Sequence, residues 1–173
     1  SSDLYQDILN DGRKANEGEG YVIDVDGQKY KIKYDSYIQI HRAIAKMVSP
    51  NAIIAAIREK YWDDFYAKIP LAYQSQAKEI ANNIYHYLES YNTQVDWWYM
   101  KVQVITQWDT NRKTFMLAVE EHVPQRLKGA VRAKFLGKSV DPFKGVKYND
   151  ILDFIDWHIV FSKQLEENIL TTV

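Results

Sequence analysis

Apolar and polar positions change period once along this chain. Over residues 20–25 and 29–34 the pattern fits two short strands, and Asp26-Gly27 between them reads as a tight hairpin turn. A type I′ turn needs positive φ at both central positions, which Asp-Gly accepts at low cost. Side chains alternate along a strand, so Lys31 and Lys33 fall on one face and Ile32 on the other. From Ser36 onward the spacing turns helical, beginning with Tyr37, Ile40, His41 and Ile44. Ser49-Pro50 reads as an N-cap followed by proline in a first turn. Ile53, Ile54, Ile57, Tyr61 and Phe65 then form one amphipathic stripe, ended or redirected at Pro70. Between Pro70 and Pro124 there is neither proline nor glycine, while Ile80, Ile84, Tyr87, Leu88 and Tyr91 repeat helically. That predicts long helices of a bundle, with breaks at Asn92-Thr93 and at Asp109-Thr110-Asn111. A last helix carries Ile151, Leu152, Ile155, Ile159 and Leu165, entered through Asn149 or Asp150 after a loop with Asp141-Pro142 and Gly145. Ahead of the hairpin, Leu4 to Leu9 suggests a short helix, and Asp11-Gly12, Asn16 and Gly18 suggest turns. The predicted class is mainly α: an N-terminal β-hairpin, then an all-helical remainder. An isolated hairpin is marginal in water, so its strands are expected to belong to a sheet completed by other residues.

Composition changes this picture only a little. At 173 residues the chain can bury a substantial core. It has no cysteine, which excludes disulfides and thiolate metal sites. No apolar run approaches the ~20 residues of a membrane span, and the first residues lack a basic-then-apolar leader pattern. A cytoplasmic protein with no membrane partner is the expectation. The formal net charge of −1 gives no global attraction to nucleic acid, so such binding would need local clustering.

The hairpin holds the candidate chemistry. Glu19 opens the first strand, and a carboxylate there could help hold a divalent cation. Two ammonium groups on one face, Lys31 and Lys33, suit a phosphate that carries charge through a displacement. The plain alternative is that the lysines keep an edge strand soluble. The whole string Glu19-Gly20-Tyr21-Val22-Ile23, Asp26-Gly27, Tyr30-Lys31-Ile32-Lys33, then Asp35, Tyr37 and Ile40-His41 resembles the fourth and fifth nucleotidyl-transferase motifs of ATP-dependent RNA ligases, in particular the phage tRNA-repair RNA ligase 1 family. The resemblance covers residues 19–41.

That resemblance implies a division at residue 36, with 1–36 the end of a nucleotidyl-transferase domain and 37–173 a helical C-terminal domain. It implies ATP and Mg2+ as cofactors, Glu19 near the metal, and Lys31 and Lys33 on the α-phosphate. The implied substrate is RNA with 5′-phosphate and 3′-hydroxyl ends, including a broken tRNA, sealed through a lysyl-adenylate and an adenylated RNA. One departure matters for activity. The nucleophile of such enzymes is a lysine in Lys-x-Asp-Gly, whereas here Leu9 stands two before Asp11 and Asp24 two before Asp26. The chain is therefore expected to be a C-terminal portion that depends on an N-terminal nucleotidyl-transferase part and forms no adenylate alone.

Arg126, Lys128, Arg132, Lys134 and Lys138 make up the one local basic run free of acids, and they are the candidate RNA-binding residues. Lys128 with Arg132 and Lys134 with Lys138 have i, i+4 spacing, predicting two basic ridges that could hold a phosphate backbone. Gly129 and Gly137 weaken a helix there, which would suit a loop that orders on RNA. A solvated face is the alternative. The aromatic residues at helical spacing read mostly as core, with Asp96-Trp97-Trp98-Tyr99 the exception, because three adjacent rings cannot share one helix face. His41, His86, His122 and His158 are scattered and carry no zinc pattern. Two rival readings stand beside the ligase. A DNA ligase or capping enzyme should continue into a strand-rich OB-fold, which the helical pattern disfavours. A helical nucleic-acid-binding or protein-interaction module would make the hairpin resemblance coincidental.

Overall fold

Asp26 and Gly27 adopt φ of 55° and 81°, so the reversal is the left-handed two-residue turn that Asp-Gly favours. The Asp24 carboxylate accepts from the Gly27 amide at 3.0 Å and closes it. The turn joins β1 (Gly20–Val25) to β2 (Gln28–Lys33) in a computed structural model that describes residues 18–172. The short helix over Leu4–Leu9 and the turns at Asp11-Gly12 and Asn16 lie outside the described residues. The strands pair antiparallel with Gly20 opposite Lys33, Val22 opposite Lys31 and Tyr21 opposite Ile32. Among the described residues the sheet has these two strands and no other.

Seven helices follow in the described residues: α1 (Asp35–Met47), α2 (Pro50–Arg58), α3 (Trp62–Ala67), α4 (Leu71–Ile105), α5 (Arg112–His122), α6 (Gln125–Phe135) and α7 (Tyr148–Thr172). The protein is mainly α with an N-terminal hairpin. Helix α4, 35 residues long, is the spine against which α2, α5, α6 and α7 pack. Its Ile84 and Val102 meet a core built from Ile53, Phe115, Leu127, Val131 and Ile151, all fully buried. Burying such side chains supplies about 1.5–3 kcal/mol each, so the bundle carries most of the stability. By contrast α1 has no buried residue, and Val22 and Ile40 are 60 % and 58 % exposed.

Helix boundaries follow local chemistry where that chemistry was visible. Ser49 Oγ accepts from the Ala52 amide at 3.3 Å with Pro50 in the first turn, as its sequence predicts. Asn111 caps α5 through the Lys113 and Thr114 amides. Helix α7 starts at Tyr148, just before the expected entry, and the Asp150 carboxylate reaches back to the Lys147 amide at 2.8 Å.

Three boundaries differ from expectation. The stripe from Ile53 to Phe65 is two helices, because Lys60 takes φ 62° and the Tyr61 amide bonds back to the Ala56 carbonyl at 2.9 Å. That six-to-one closure ends a helix as a glycine cap does, here with a lysine in the left-handed position. Asn92-Thr93 does not interrupt α4. Both side chains point to solvent while Ser90, Gln94 and Val95 between them and the core are buried, so packing overrides their weak helix preference. The third is the basic segment. It is a formed helix through Phe135, closed by Gly137 at φ 68° with the Lys138 amide bonded to the Ala133 carbonyl at 2.8 Å. Lys138 therefore stands beyond the cap, and the Lys134–Lys138 ridge does not form. Gly129 stays inside α6 at a cost of about 1 kcal/mol relative to alanine, although no neighbour lies within 4 Å of where its Cβ would be.

Candidate functional site

At Gly20 the backbone has φ 150°, and a Cβ there would lie 1.9 Å from the Ile32 carbonyl oxygen. No residue with a side chain fits without displacing β2. The glycine after Glu19 is thereby explained locally: it lets β1 start close against β2. The Tyr34 amide donates to the Glu19 carbonyl at 3.1 Å and holds that end of the hairpin shut.

Lys31 and Lys33 are exposed and Ile32 is 4 % exposed, as two-residue alternation requires. Lys33 Nζ lies 5.7 Å from the centre of the Tyr37 ring on α1. The Tyr37 hydroxyl in turn feels the nearby Glu19 charge, and its pKa is raised by desolvation first and then by that charge. Tyr37 thus stands between the cation of one strand and the carboxylate before the other. The three hairpin residues singled out from sequence are brought together at one end, Glu19 and Lys33 through Tyr37, and Lys31 one step along the same face as Lys33.

Below them an open groove of about 400 Å³ is lined by Lys33, Tyr37, Ile38, His41, Arg42, Ala45 and Tyr73. The Tyr37 and His41 rings sit 4.1 Å apart, one turn of α1, and His41 Nδ1 lies 2.6 Å from the Tyr73 hydroxyl. His41 is therefore a structural latch from α1 to α4. Tyr73 was not visible as a site residue; nothing in its own surroundings distinguishes it from a core aromatic. The described residues contain no group of three or more carboxylate or imidazole donors that could enclose a metal ion. Glu19 is a single carboxylate, which matches the way Mg2+ is usually held, by one or two carboxylates with phosphates and water supplying the rest. Lys31 and Lys33 are exposed cations on the same hairpin.

The basic segment is largely spent on internal partners. Lys128 and Arg132 both bind Glu120, at 3.2 Å and 2.6 Å, and hold its carboxyl below the usual carboxylate range. Lys134 pairs with Asp96 at 2.6 Å and lies over the Tyr99 ring. Arg126 has no carboxylate partner among the described residues and rests on the Phe154 and Trp157 rings, 5.7 Å and 5.2 Å from their centres. The predicted face of free cations reduces to Arg126 and Lys138. The adjacent rings of 97–99 divide as geometry requires: Trp97 and Trp98 meet Phe161 of α7, and Tyr99 meets Phe115 of α5.

Compared with protein-family models, curated proteins and solved structures, the chain matches none.

Sequence reasoning missed a second concavity altogether. A cleft of about 460 Å³ opens where α4, α6, the 140–146 loop and the start of α7 meet, with Tyr87, Tyr91, Arg126, Gly129, Asp153 and Phe154 in its wall. Its loop side is fixed by the ion pair of Arg58 with Asp141 and by the Tyr87 hydroxyl, which donates to the Pro142 carbonyl. Burial drives the Tyr87 hydroxyl pKa well above its ordinary value, and that of Tyr91 upward too, so both stay neutral hydrogen-bonding groups. The residues come from four segments far apart in sequence, and only the mid-helix Gly129 was a local sign. No helix of the described residues is long and apolar enough to cross a membrane.

Proposed function

We propose that this chain is the C-terminal portion of an ATP-dependent RNA-sealing enzyme, carrying the phosphate-handling hairpin and a helical RNA-facing domain. One observation supports the reading above the rest: Tyr37 lies near both the Glu19 carboxylate and the Lys33 ammonium, at one end of a hairpin whose exposed face also carries Lys31. Lys31 and Lys33 neutralise charge on the α-phosphate of ATP and of the adenylated RNA end. Glu19 orients the hydrated Mg2+ that accompanies the nucleotide, and that ion supplies Lewis-acid polarisation of the phosphate when bound. The nucleophilic lysine comes from the N-terminal nucleotidyl-transferase part, since neither Asp-Gly of this chain has lysine two residues before it. The exposed apolar Val22 and Ile40 supply surface for that part to cover.

The test is ATP-dependent sealing of a 5′-phosphorylated, 3′-hydroxyl single-stranded RNA by this chain and by a longer parent, with covalent AMP label followed on each. Label and sealing by the parent alone support the reading. Absence of label from both favours the alternative, a helical nucleic-acid-binding or protein-interaction module without catalytic activity.

A further inference from the structure

The cleft between α4, α6 and α7 has a composition that packing alone does not require. Gly129 forms part of its wall in the middle of a helix, and a Cβ there would enter open space. Glycine weakens the helix without relieving any contact, so its effect is to leave the cleft open against the α6 backbone. Tyr91 supplies aromatic surface in the same cleft, backed by the buried Phe154. Arg126 lies over two rings and has no carboxylate partner among the described residues, so its guanidinium N–H groups are available, and Lys144 brings a second cation to the same space. Asp153 faces the cleft and has no partner in the described residues, whereas Asp141 and Asp150 are already engaged by Arg58 and the Lys147 amide.

A ligand for this space must be flat, must carry an anionic group for Arg126 and Lys144, and must present hydrogen-bond donors to a carboxylate. A nucleotide meets all three conditions, and 460 Å³ accommodates one. Among the bases, guanine sets its ring N–H and exocyclic amine side by side, which a carboxylate accepts in pairs. Adenine and cytosine offer only the amine, and uracil flanks its single N–H with two carbonyls that repel a carboxylate.

We propose that this cleft binds one extruded guanine nucleotide of single-stranded RNA, with the base between Gly129 and Tyr91, the phosphate on Arg126 and Lys144, and the donor edge of the base on Asp153. Unpaired bases are ordinarily read in this manner, by stacking plus hydrogen bonds to an exposed edge. The choice of RNA over a free nucleotide rests on the sealing function proposed above; the guanine-nucleotide chemistry does not.

The test is calorimetric titration of the intact 173-residue chain with 5′-GMP, AMP, CMP and UMP, and with short adenosine oligoribonucleotides with or without one central guanosine. The guanosine oligomer is expected to bind about tenfold more tightly than the all-adenosine one. Gly129→Leu is expected to weaken it by about tenfold or more without lowering the melting temperature, because the new side chain fills open space in a better helix. Asp153→Asn should erase the preference for guanine while leaving phosphate-dependent binding, and Arg126→Ala should lower affinity for all four mononucleotides. Equal affinity for the four bases overturns the proposal, as does Gly129→Leu binding like the wild type. Uptake of GMP with exclusion of the guanosine oligomer retains the nucleotide chemistry and overturns RNA as its source. These titrations need no adenylation, so guanine binding by a chain whose parent fails to seal RNA separates this site from the ligase reading.

Discussion

The Tyr73 hydroxyl lies 2.6 Å from His41 Nδ1, joining the helix that leaves the hairpin to the spine of the bundle. The rings also approach edge to face at 6.0 Å. Because α1 buries no residue of its own, this contact is a main attachment of the hairpin end to the rest of the protein. Tyr73→Phe keeps the ring and removes the hydrogen bond, a loss of about 1 kcal/mol for a partly buried neutral pair. The expected result is amide exchange about fivefold faster over 35–47, with the melting temperature of the bundle almost unchanged. Unaltered exchange in that segment would show that the latch holds nothing.

Legibility in the sequence followed the range of the interaction responsible. The Asp26-Gly27 turn, the Ser49-Pro50 cap and the lysine alternation depend on neighbours within a few residues, and each could be read directly. The end of α2 could not, because Lys60 supplies a left-handed cap where glycine would have announced one, whereas the break at Asp109-Thr110-Asn111 was legible through the Asn111 cap of α5. The continuity of α4 through Asn92-Thr93 depends on Gln94 and Val95 packing against distant elements, which no local rule contains. For the site, the arrangement at the hairpin end was half legible: the strand face followed from alternation, but Tyr37 as a common neighbour of Glu19 and Lys33 required α1 in place. The basic run misled for a similar reason. Glu120 and Asp96, which neutralise it, lie outside the acid-free window.

Gln94 Nε2 donates to His158 Nδ1 at 2.9 Å, while the Gln94 side-chain oxygen accepts from Trp98 Nε1 at 3.1 Å. Accepting at Nδ1 requires His158 to be unprotonated there. Its pKa is lowered by burial first and by His86 second, against a smaller upward pull from Glu89. The unfolded chain therefore takes up the proton before the folded one does. Stability from this pair is complete above about pH 6.5 and declines as pH falls below it toward the folded-state pKa. Urea midpoints at about pH 7.5 and about pH 5.5 should differ in that direction, and His158→Gln should reduce the difference. A midpoint that rises on acidification contradicts the assignment.

Glu120 is where the basic segment is neutralised, so Glu120→Gln tests whether α6 is an RNA face held in reserve. The carboxylate is 63 % exposed, so its loss should change stability very little. Lys128 has only 12 % of its side chain exposed and stays against the protein, whereas Arg132 at 37 % is free to turn outward. One released cation should raise affinity for single-stranded RNA and steepen the plot of log affinity against log salt by about 0.7. An unchanged salt slope would assign the run to holding α5 and α6 together.

In the hairpin, position and charge can be separated by substitution. Lys31→Ala and Lys33→Ala change exposed side chains and should leave the fold intact, yet each should lower sealing by the longer parent chain by about 10²-fold or more, in keeping with loss of a group that stabilises transition-state charge. Gly20→Ala keeps both lysines and Glu19 but forces a Cβ to within 1.9 Å of the Ile32 carbonyl, so β1 must shift away from β2. It should abolish sealing through misplacement and disturb the hairpin amides, which the lysine variants should not. Tyr37→Phe removes the hydroxyl near Glu19 and keeps the ring under Lys33, so its defect should be partial and should grow as Mg2+ is made scarce. Sealing at wild-type rates by both lysine variants would leave the lysines as edge-strand solubilisers and withdraw the hairpin from the chemistry.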